Sequence, residues 1–129
     1  MDENIRRALT RGHVIDITTT GRRSAQPRRI EIVFHVIDGR LYISGVPSAR
    51  TRAWIRNLEA DPRLTFHLKG PVAVADLPAT ARIITDEAER RRVLAHVARA
   101  WGRSDVETMV RHSPLIEVAI AGYSAPAAA

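Results

Sequence analysis

Cysteine is absent from this 129-residue sequence, which excludes disulfides, thiolate nucleophiles and cysteine-based metal sites. Aromatic residues make up only 5% of the chain, against 45% for all hydrophobic residues, so the predicted core is aliphatic. No apolar run is long enough to span a membrane, and the N-terminus carries no signal-peptide pattern. We therefore expect one soluble, cytoplasmic domain over residues 1–129, with a frayed tail from about residue 122.

Negative charge is in short supply, because 20 lysine and arginine residues face only 14 aspartate and glutamate residues, a net charge of +6. This excess favours anionic partners, but it does not distinguish among nucleic acid, a membrane surface and a phosphorylated cofactor. Single-strand nucleic-acid binders usually interleave aromatic side chains with their basic residues, and this chain does not. We therefore expect a small-molecule partner, with no nucleic-acid partner and no stable membrane anchor. No spacing of histidine, aspartate and glutamate indicates a metal site.

Apolar and polar residues alternate over several short stretches, which is typical of half-buried strands. The predicted strands span residues 14–19, 28–37, 41–44, 64–68, 72–84 and 115–120. The predicted helices span residues 2–10, 51–60, 86–101 and 105–111. Most strands follow one another directly, and Asp38-Gly39 is a strong hairpin signal. This order predicts an antiparallel barrel of six or seven strands, mainly β with inserted helices, rather than a parallel sheet.

Three residue types mark where these elements end. Thr85 and Asp86 are typical N-cap residues for the long helix, and Gly102 is a typical stop signal at its other end. Pro78 has no N–H to donate, so within a strand it is predicted to lie at an edge or a bulge.

A basic run, TTTGRRSAQPRR, occupies residues 18–29 directly after an apolar strand. A turn here would direct backbone N–H groups, hydroxyls and the guanidinium groups of Arg22, Arg23, Arg28 and Arg29 towards one place. Arginine binds phosphate oxygens through two parallel hydrogen bonds, whereas lysine acts as a point charge. The run therefore indicates an anion site, and the alternative is a solvated, positively charged hairpin.

Three motifs in this chain resemble one known family. The basic run resembles the Thr-Thr-Gly-Arg-Lys/Arg-Ser/Thr-Gly-x-Pro-Arg signature of the deazaflavin-dependent nitroreductase and quinone-reductase family. DGRLYISG at residues 38–45 resembles that family's next hairpin, and WIRNLEADP at residues 54–62 resembles its Trp-x-x-Asn-Leu-x-Ala-x-Pro helix end. Order and spacing agree over roughly residues 14–120. The resemblance implies a split β-barrel of the FMN-binding, flavin-reductase-like type.

The same resemblance implies a cofactor, coenzyme F420 (a deazaflavin), with FMN as a less favoured alternative. It implies that Ser44 could act as the catalytic hydroxyl that protonates the product, and it implies no metal. The implied cofactor-binding residues come from the basic run, the two hairpin strands and the following helix: Arg22, Arg23, Ser24, Arg28, Arg29, Ile30, Glu31, Ile32, Val33, Tyr42, Ile43, Ser44, Gly45, Ala53, Trp54 and Asn57.

The activity that the resemblance implies is hydride transfer from the reduced deazaflavin to an electron-poor acceptor, such as a quinone, a nitroaromatic or an enone. The alternative is a non-catalytic carrier of a flavin, a tetrapyrrole or a lipid on the same barrel, and relatives of the barrel imply a homodimer. Three positions depart from the family. Gly45 replaces a frequent cationic residue, Val33 replaces a frequent aromatic residue, and Ala25 replaces a glycine where positive φ is easier.

Other titratable residues carry weaker signals. Histidine titrates near neutrality, so His35 and His67 are candidate proton donors, although each is expected to be a surface or packed strand residue. The run Arg90-Arg91-Arg92 is expected to be a solvated helix face.

Overall fold

Six antiparallel strands form a closed barrel in the computed structural model, which describes residues 1–124. The strands are β1 (Val14–Thr20), β2 (Pro27–Ile37), β3 (Arg40–Ser44), β4 (Arg63–Lys69), β5 (Val74–Ile83) and β6 (Leu115–Ile120). Their order around the barrel is β1-β2-β3-β6-β5-β4. The prediction of a small antiparallel barrel is confirmed, and each predicted strand lies within two residues of an observed one.

The barrel core follows from the alternation of residues along the strands. On β1, Ile15 and Ile17 are fully buried while Asp16 and Thr18 lie on the outer face. On β2 and β4, Phe34 and Phe66 meet edge to face at 5.2 Å between ring centroids. Aliphatic side chains fill most of the remaining interior, as the low aromatic content predicts.

Pro78 lies within β5, opposite Thr65 of β4. The pairing of β5 with β6 begins one residue later, at Ala79, and the Pro78 carbonyl accepts a hydrogen bond of 3.0 Å from the Ala121 N–H. The proline nitrogen therefore faces the side on which the β6 ladder ends, so its missing N–H breaks no bond to β4. As predicted, Pro78 lies where the pairing with one neighbouring strand ends, although β5 itself is not an edge strand of the closed barrel.

Four helices accompany the barrel: α1 (Glu3–Ala8), α2 (Ala53–Ala60), α3 (Glu87–Trp101) and α4 (Val106–His112). The α2 helix follows β3 and packs on β1 and β5. As predicted, Asp86 caps α3 by accepting the Glu89 N–H at 2.9 Å, and Gly102 ends it at a φ of 66°. The α4 helix begins one residue later than predicted, after Asp105.

A second core lies outside the barrel, where α3 and α4 pack together over the outer face of β3. Tyr42, Val93, Leu94 and Val97 are fully buried there. No helix among residues 1–124 is long and apolar enough to cross a membrane. At the end of the described chain, Tyr123 packs against the barrel core; residues 125–129 of the predicted frayed tail lie outside the described residues.

The prediction of a solvated face at Arg90-Arg91-Arg92 is wrong for Arg90, whereas the side chains of Arg91 and Arg92 are exposed to solvent. The part-buried guanidinium of Arg90 donates to four main-chain carbonyls, those of Ile84, Met109, Val110 and Ser113. Arg91 pairs with glutamates on α3 and α4, and Arg92 pairs with Asp38 at 3.3 Å. Consecutive helical residues point about 100° apart, so three arginines in a row cannot share one face.

Candidate functional site

The basic run forms a tight turn between β1 and β2. The Gly21 N–H donates to the Gln26 carbonyl, and the Ala25 N–H donates to the Gly21 carbonyl, both at 2.8 Å. Ala25 adopts a φ of 58°, so it takes the positive φ that is easier for the glycine it replaces. The surrounding turn imposes this left-handed conformation, at a cost of roughly 1–2 kcal/mol for a residue with a Cβ.

Gly21 is required by the space inside this turn. A Cβ at this position would lie 2.6 Å from Ser24 Oγ and 3.2 Å from the Gln26 carbonyl oxygen. Ser24 Oγ in turn accepts a hydrogen bond of 3.2 Å from Arg28 Nη2. The glycine therefore lets the hydroxyl and the guanidinium group pack directly over the main chain.

Asn57 joins this turn to α2. Its Oδ1 accepts the Arg22 N–H at 3.0 Å, and its Nδ2 donates to Thr19 Oγ1 at 3.1 Å. The side chain is only 5% exposed, so both contacts are shielded from water. Asn57 thus fixes the turn against the helix and orients the arginines that follow.

A cavity of about 410 Å³ lies between the turn and α2, and we call it the turn cavity. Nine of the sixteen predicted cofactor-binding residues line it: Arg22, Arg23, Ser24, Arg28, Arg29, Ile30, Ala53, Trp54 and Asn57. Thr19 and Gly21 line it as well and were not predicted. Both belong to the basic run, where the hydroxyl of Thr19 and the small size of Gly21 could have identified them as lining residues.

The electrostatics of the turn cavity favour an anion. Within residues 1–124, Arg22, Arg23 and Arg28 form no ion pair, whereas Arg29 pairs with Asp16 at 2.9 Å. Three exposed guanidinium groups therefore surround one cavity without a carboxylate of the protein to balance them. These donors fit a phosphate group, and the cavity that they line together with α2 favours an anion site over a solvated, positively charged hairpin.

The other seven predicted residues do not line the turn cavity: Glu31, Ile32, Val33, Tyr42, Ile43, Ser44 and Gly45. Glu31 pairs with Lys69 on the outside of the barrel. Ile43 is buried in the barrel core, and Tyr42 is buried in the second core.

Ser44 does not have the geometry of a proton donor. Its Oγ donates to the Pro114 carbonyl at 2.7 Å, and the residue is 2% exposed. The hydroxyl proton is therefore engaged in a contact between β3 and the segment that leads into β6, away from solvent and from the turn cavity.

Neither candidate histidine lines the turn cavity. His67 is buried, with Nδ1 at 2.6 Å from Asp76 Oδ1 and Nε2 at 2.6 Å from Thr18 Oγ1. His35 lies beside Trp101, with ring centroids 5.4 Å apart, and burial lowers the pKa of His35. Among residues 1–124, no group of three or more potential ligands is placed to hold a metal ion.

The closed antiparallel barrel with inserted helices is the fold of the flavin-reductase-like split-barrel proteins. The chain belongs to the F420H(2)-dependent quinone reductase family, whose sequence model matches residues 2–121. It is therefore a deazaflavin-dependent oxidoreductase, and its cofactor is coenzyme F420. None of the curated proteins matches the chain.

Solved structures agree with the fold. A protein described as an F420 reductase is 15% identical, with a TM-score of 0.71, and the match covers 96% of this chain and 98% of that one. The conserved hypothetical protein Rv2991 from Mycobacterium tuberculosis is 22% identical, with a TM-score of 0.68 and coverage of 94% and 81%. An F420-H2 dependent reductase, FDR-A, is 20% identical, with a TM-score of 0.58 and coverage of 82% and 93%.

Proposed function

We propose that this protein transfers a hydride from reduced coenzyme F420 to a quinone, and that nitroaromatics and enones are further acceptors. The observation that carries the proposal is the turn cavity, where three guanidinium groups that form no ion pair within residues 1–124 face a space bounded by an indole and a buried amide. Membership of the family supports the quinone as acceptor. When bound, the reduced cofactor supplies the hydride from its ring carbon.

The residues of the turn cavity bind and orient the cofactor in this proposal. Arg22, Arg23 and Arg28 hold its phosphate through charge-assisted hydrogen bonds. Trp54, which is 7% exposed, forms an apolar wall, and Asn57 keeps the turn in register with that wall. Contacts between the cofactor ring and residues 31–33 and 42–45 remain a prediction.

Protonation of the product is assigned to solvent in this proposal. The Ser44 hydroxyl is engaged with Pro114, and neither His35 nor His67 lines the turn cavity. A hydride-transfer enzyme whose cofactor performs the chemistry does not require a side-chain acid at the site.

The decisive experiment mixes the purified protein with reduced F420 and menadione and follows the absorbance of oxidised F420. The expected result is oxidation that depends on both the protein and the quinone, and that decreases in Arg28→Gln. A protein that copurifies with a flavin, a tetrapyrrole or a lipid and leaves reduced F420 unchanged would instead be the carrier.

We also propose that the protein is a homodimer, which the resemblance of the barrel implies. Light scattering coupled to size-exclusion chromatography measures the mass directly. A mass equal to that of one 14.3 kDa chain would contradict a dimer without affecting the proposed reaction.

A further inference from the structure

A second cavity, of about 690 Å³, lies beside the N-terminus of α2, and we call it the Arg52 cavity. The loop before α2, the helices α3 and α4, and the segment before β6 form its walls. It shares no lining residue with the turn cavity: α2 presents Ile55 to the Arg52 cavity and Trp54 to the turn cavity. The two cavities are therefore separate sites divided by one helix.

Several arginines line the Arg52 cavity, and only some of them are balanced by the protein itself. Arg90 donates to main-chain carbonyls, and Arg91 pairs with glutamates of α3 and α4. Within the described part of the chain, Arg50, Arg52 and Arg111 form no ion pair. The cavity therefore carries an excess of positive charge at its own wall.

Two buried polar atoms at this cavity have no hydrogen-bond partner among residues 1–124: Arg52 Nη1 and Ser113 Oγ. Ser113 is only 4% exposed, so bulk water does not satisfy its hydroxyl. A buried donor without an acceptor is costly, and it is rare in native proteins unless a bound molecule satisfies it. Both residues line the cavity, and both atoms are hydrogen-bond donors that a bound anion would satisfy.

The surrounding main chain holds these two residues in place. A Cβ on Gly45 would lie 3.3 Å from Arg52 Cζ and 3.0 Å from Pro114 Cγ, so the glycine makes room for the guanidinium group. The Ser113 N–H donates to Met109 at 2.8 Å, and its carbonyl accepts from Arg90 Nη2 at 2.6 Å. The site is therefore preorganised, which lowers the entropic cost of binding.

The rest of the lining is apolar and includes Ile55, Ile84, Val110 and Leu115. An inorganic anion would leave these side chains in contact with water, whereas an organic acid would cover them. From this combination we propose that the Arg52 cavity is a second ligand site for an organic acid. Its carboxylate binds Arg52 and Ser113, and its apolar body packs between α2 and β6.

Isothermal titration calorimetry with naphthoate tests this proposal, with the neutral naphthamide and inorganic phosphate as comparison probes. Naphthoate is expected to bind the wild type, and Arg52→Gln is expected to weaken it by about tenfold or more, since a charge-assisted contact is lost. Ser113→Ala removes one hydroxyl and is expected to weaken naphthoate severalfold. Arg99→Gln, which removes an equal charge from the exposed end of α3, is the matched control and is expected to have no effect.

Five outcomes would overturn the proposal. If the wild type and Arg52→Gln bound naphthoate equally well, Arg52 would not be the anchor. If Arg99→Gln weakened naphthoate binding as much as Arg52→Gln does, net charge rather than this cavity would determine the affinity. Equal binding of naphthamide, or phosphate binding as tightly as naphthoate, would exclude an organic acid as the ligand class. Competition between naphthoate and F420 would show that the cavities are not independent. Melting temperatures of all variants show whether they fold. If the protein failed to oxidise reduced F420, that result would contradict the proposed function and not the second ligand site.

Discussion

The arginines that line the turn cavity are expected to contribute different amounts to cofactor binding, because only some of them are already paired with a carboxylate of the protein. Arg22 and Arg28 form no ion pair within residues 1–124, whereas Arg29 is already paired with Asp16. We expect Arg22→Gln and Arg28→Gln each to weaken F420 binding by about tenfold, since each loses one charge-assisted contact. Arg29→Gln is expected to weaken it less. Fluorescence titration of F420 measures these affinities.

The control for this comparison is Arg99→Gln, at the exposed last turn of α3. Arg90 is unsuitable as a control because its guanidinium group holds four carbonyls. Equal losses in all four variants would show that net charge, rather than the turn cavity, determines F420 affinity.

The left-handed conformation of Ala25 leads to a stability prediction. At a φ of 58°, its Cβ is strained, and glycine removes that strain at the expense of a more flexible unfolded chain. We expect Ala25→Gly to leave stability unchanged or to raise it by up to about 1 kcal/mol, as measured by urea denaturation.

Ala95→Gly is the matched control, because Ala95 is a partly exposed residue in the middle of α3. There the same substitution is expected to cost about 0.5–1 kcal/mol. A similar loss at both positions would contradict the strained geometry of the turn.

Among the secondary-structure elements, α3 is joined to α4 by the guanidinium group of Arg90 in addition to the apolar contacts of the second core. The guanidinium of Arg90 donates to the carbonyls of Met109 and Val110 within α4 and to that of Ser113 directly after it. We expect Arg90→Ala to lower the free energy of unfolding by about 3 kcal/mol or more, because several buried carbonyls lose their donor. Urea denaturation in the absence of cofactor provides the measurement.

Arg92→Ala, two residues along the same helix, is the comparison. Its ion pair with Asp38 is between exposed side chains, and such pairs contribute about 1 kcal/mol or less. If both alanine variants lost the same small amount, Arg90 would not be a structural connection.

Helix ends and strand positions could be predicted because their causes are local. Asp86 caps α3 and Gly102 ends it through contacts within a few residues, and the alternation on β4 reflects one buried face. The orientation of Arg90 could not be predicted in this way. It depends on where α4 returns, about twenty residues later in the chain, and no local pattern encodes that return.

For the molecule as a whole, burial of His35 predicts a pH-dependent stability. Burial lowers its folded-state pKa below the ordinary value near 6.5, so below that pH the unfolded chain binds more protons than the folded one. Stability therefore decreases as the pH falls through about 6.5. We expect His35→Phe to lose less stability than the wild type between about pH 7.5 and about pH 5.5 in urea denaturation.

His96→Gln, which removes an exposed histidine of α3 from the same surface pocket as His35, is the comparison variant. If His35→Phe showed the same pH dependence as the wild type, protonation of His35 would not contribute to it.

The barrel as a whole could be predicted from the sequence, but the burial of both faces of β3 could not. Leu41 and Ile43 fill the barrel, while Tyr42 and Ser44 are covered from outside by the helical layer and the segment before β6. Because both faces of β3 are buried, the strand has no polar face from which its register could be inferred. The contact of the Ser44 hydroxyl with Pro114 could not be predicted for this reason, whereas most residues that line the turn cavity, which are close in sequence, were among those predicted.

The position of β6 in the barrel has a consequence for synthesis of the protein. It is the last of the six strands to be made, yet it lies between β3 and β5 and pairs with both. Until residues 115–120 have left the ribosome, the nascent chain exposes two unpaired strand edges, which are templates for pairing with other chains. Barrel closure is therefore a late event, and protection of the growing polypeptide from aggregation matters most just before it.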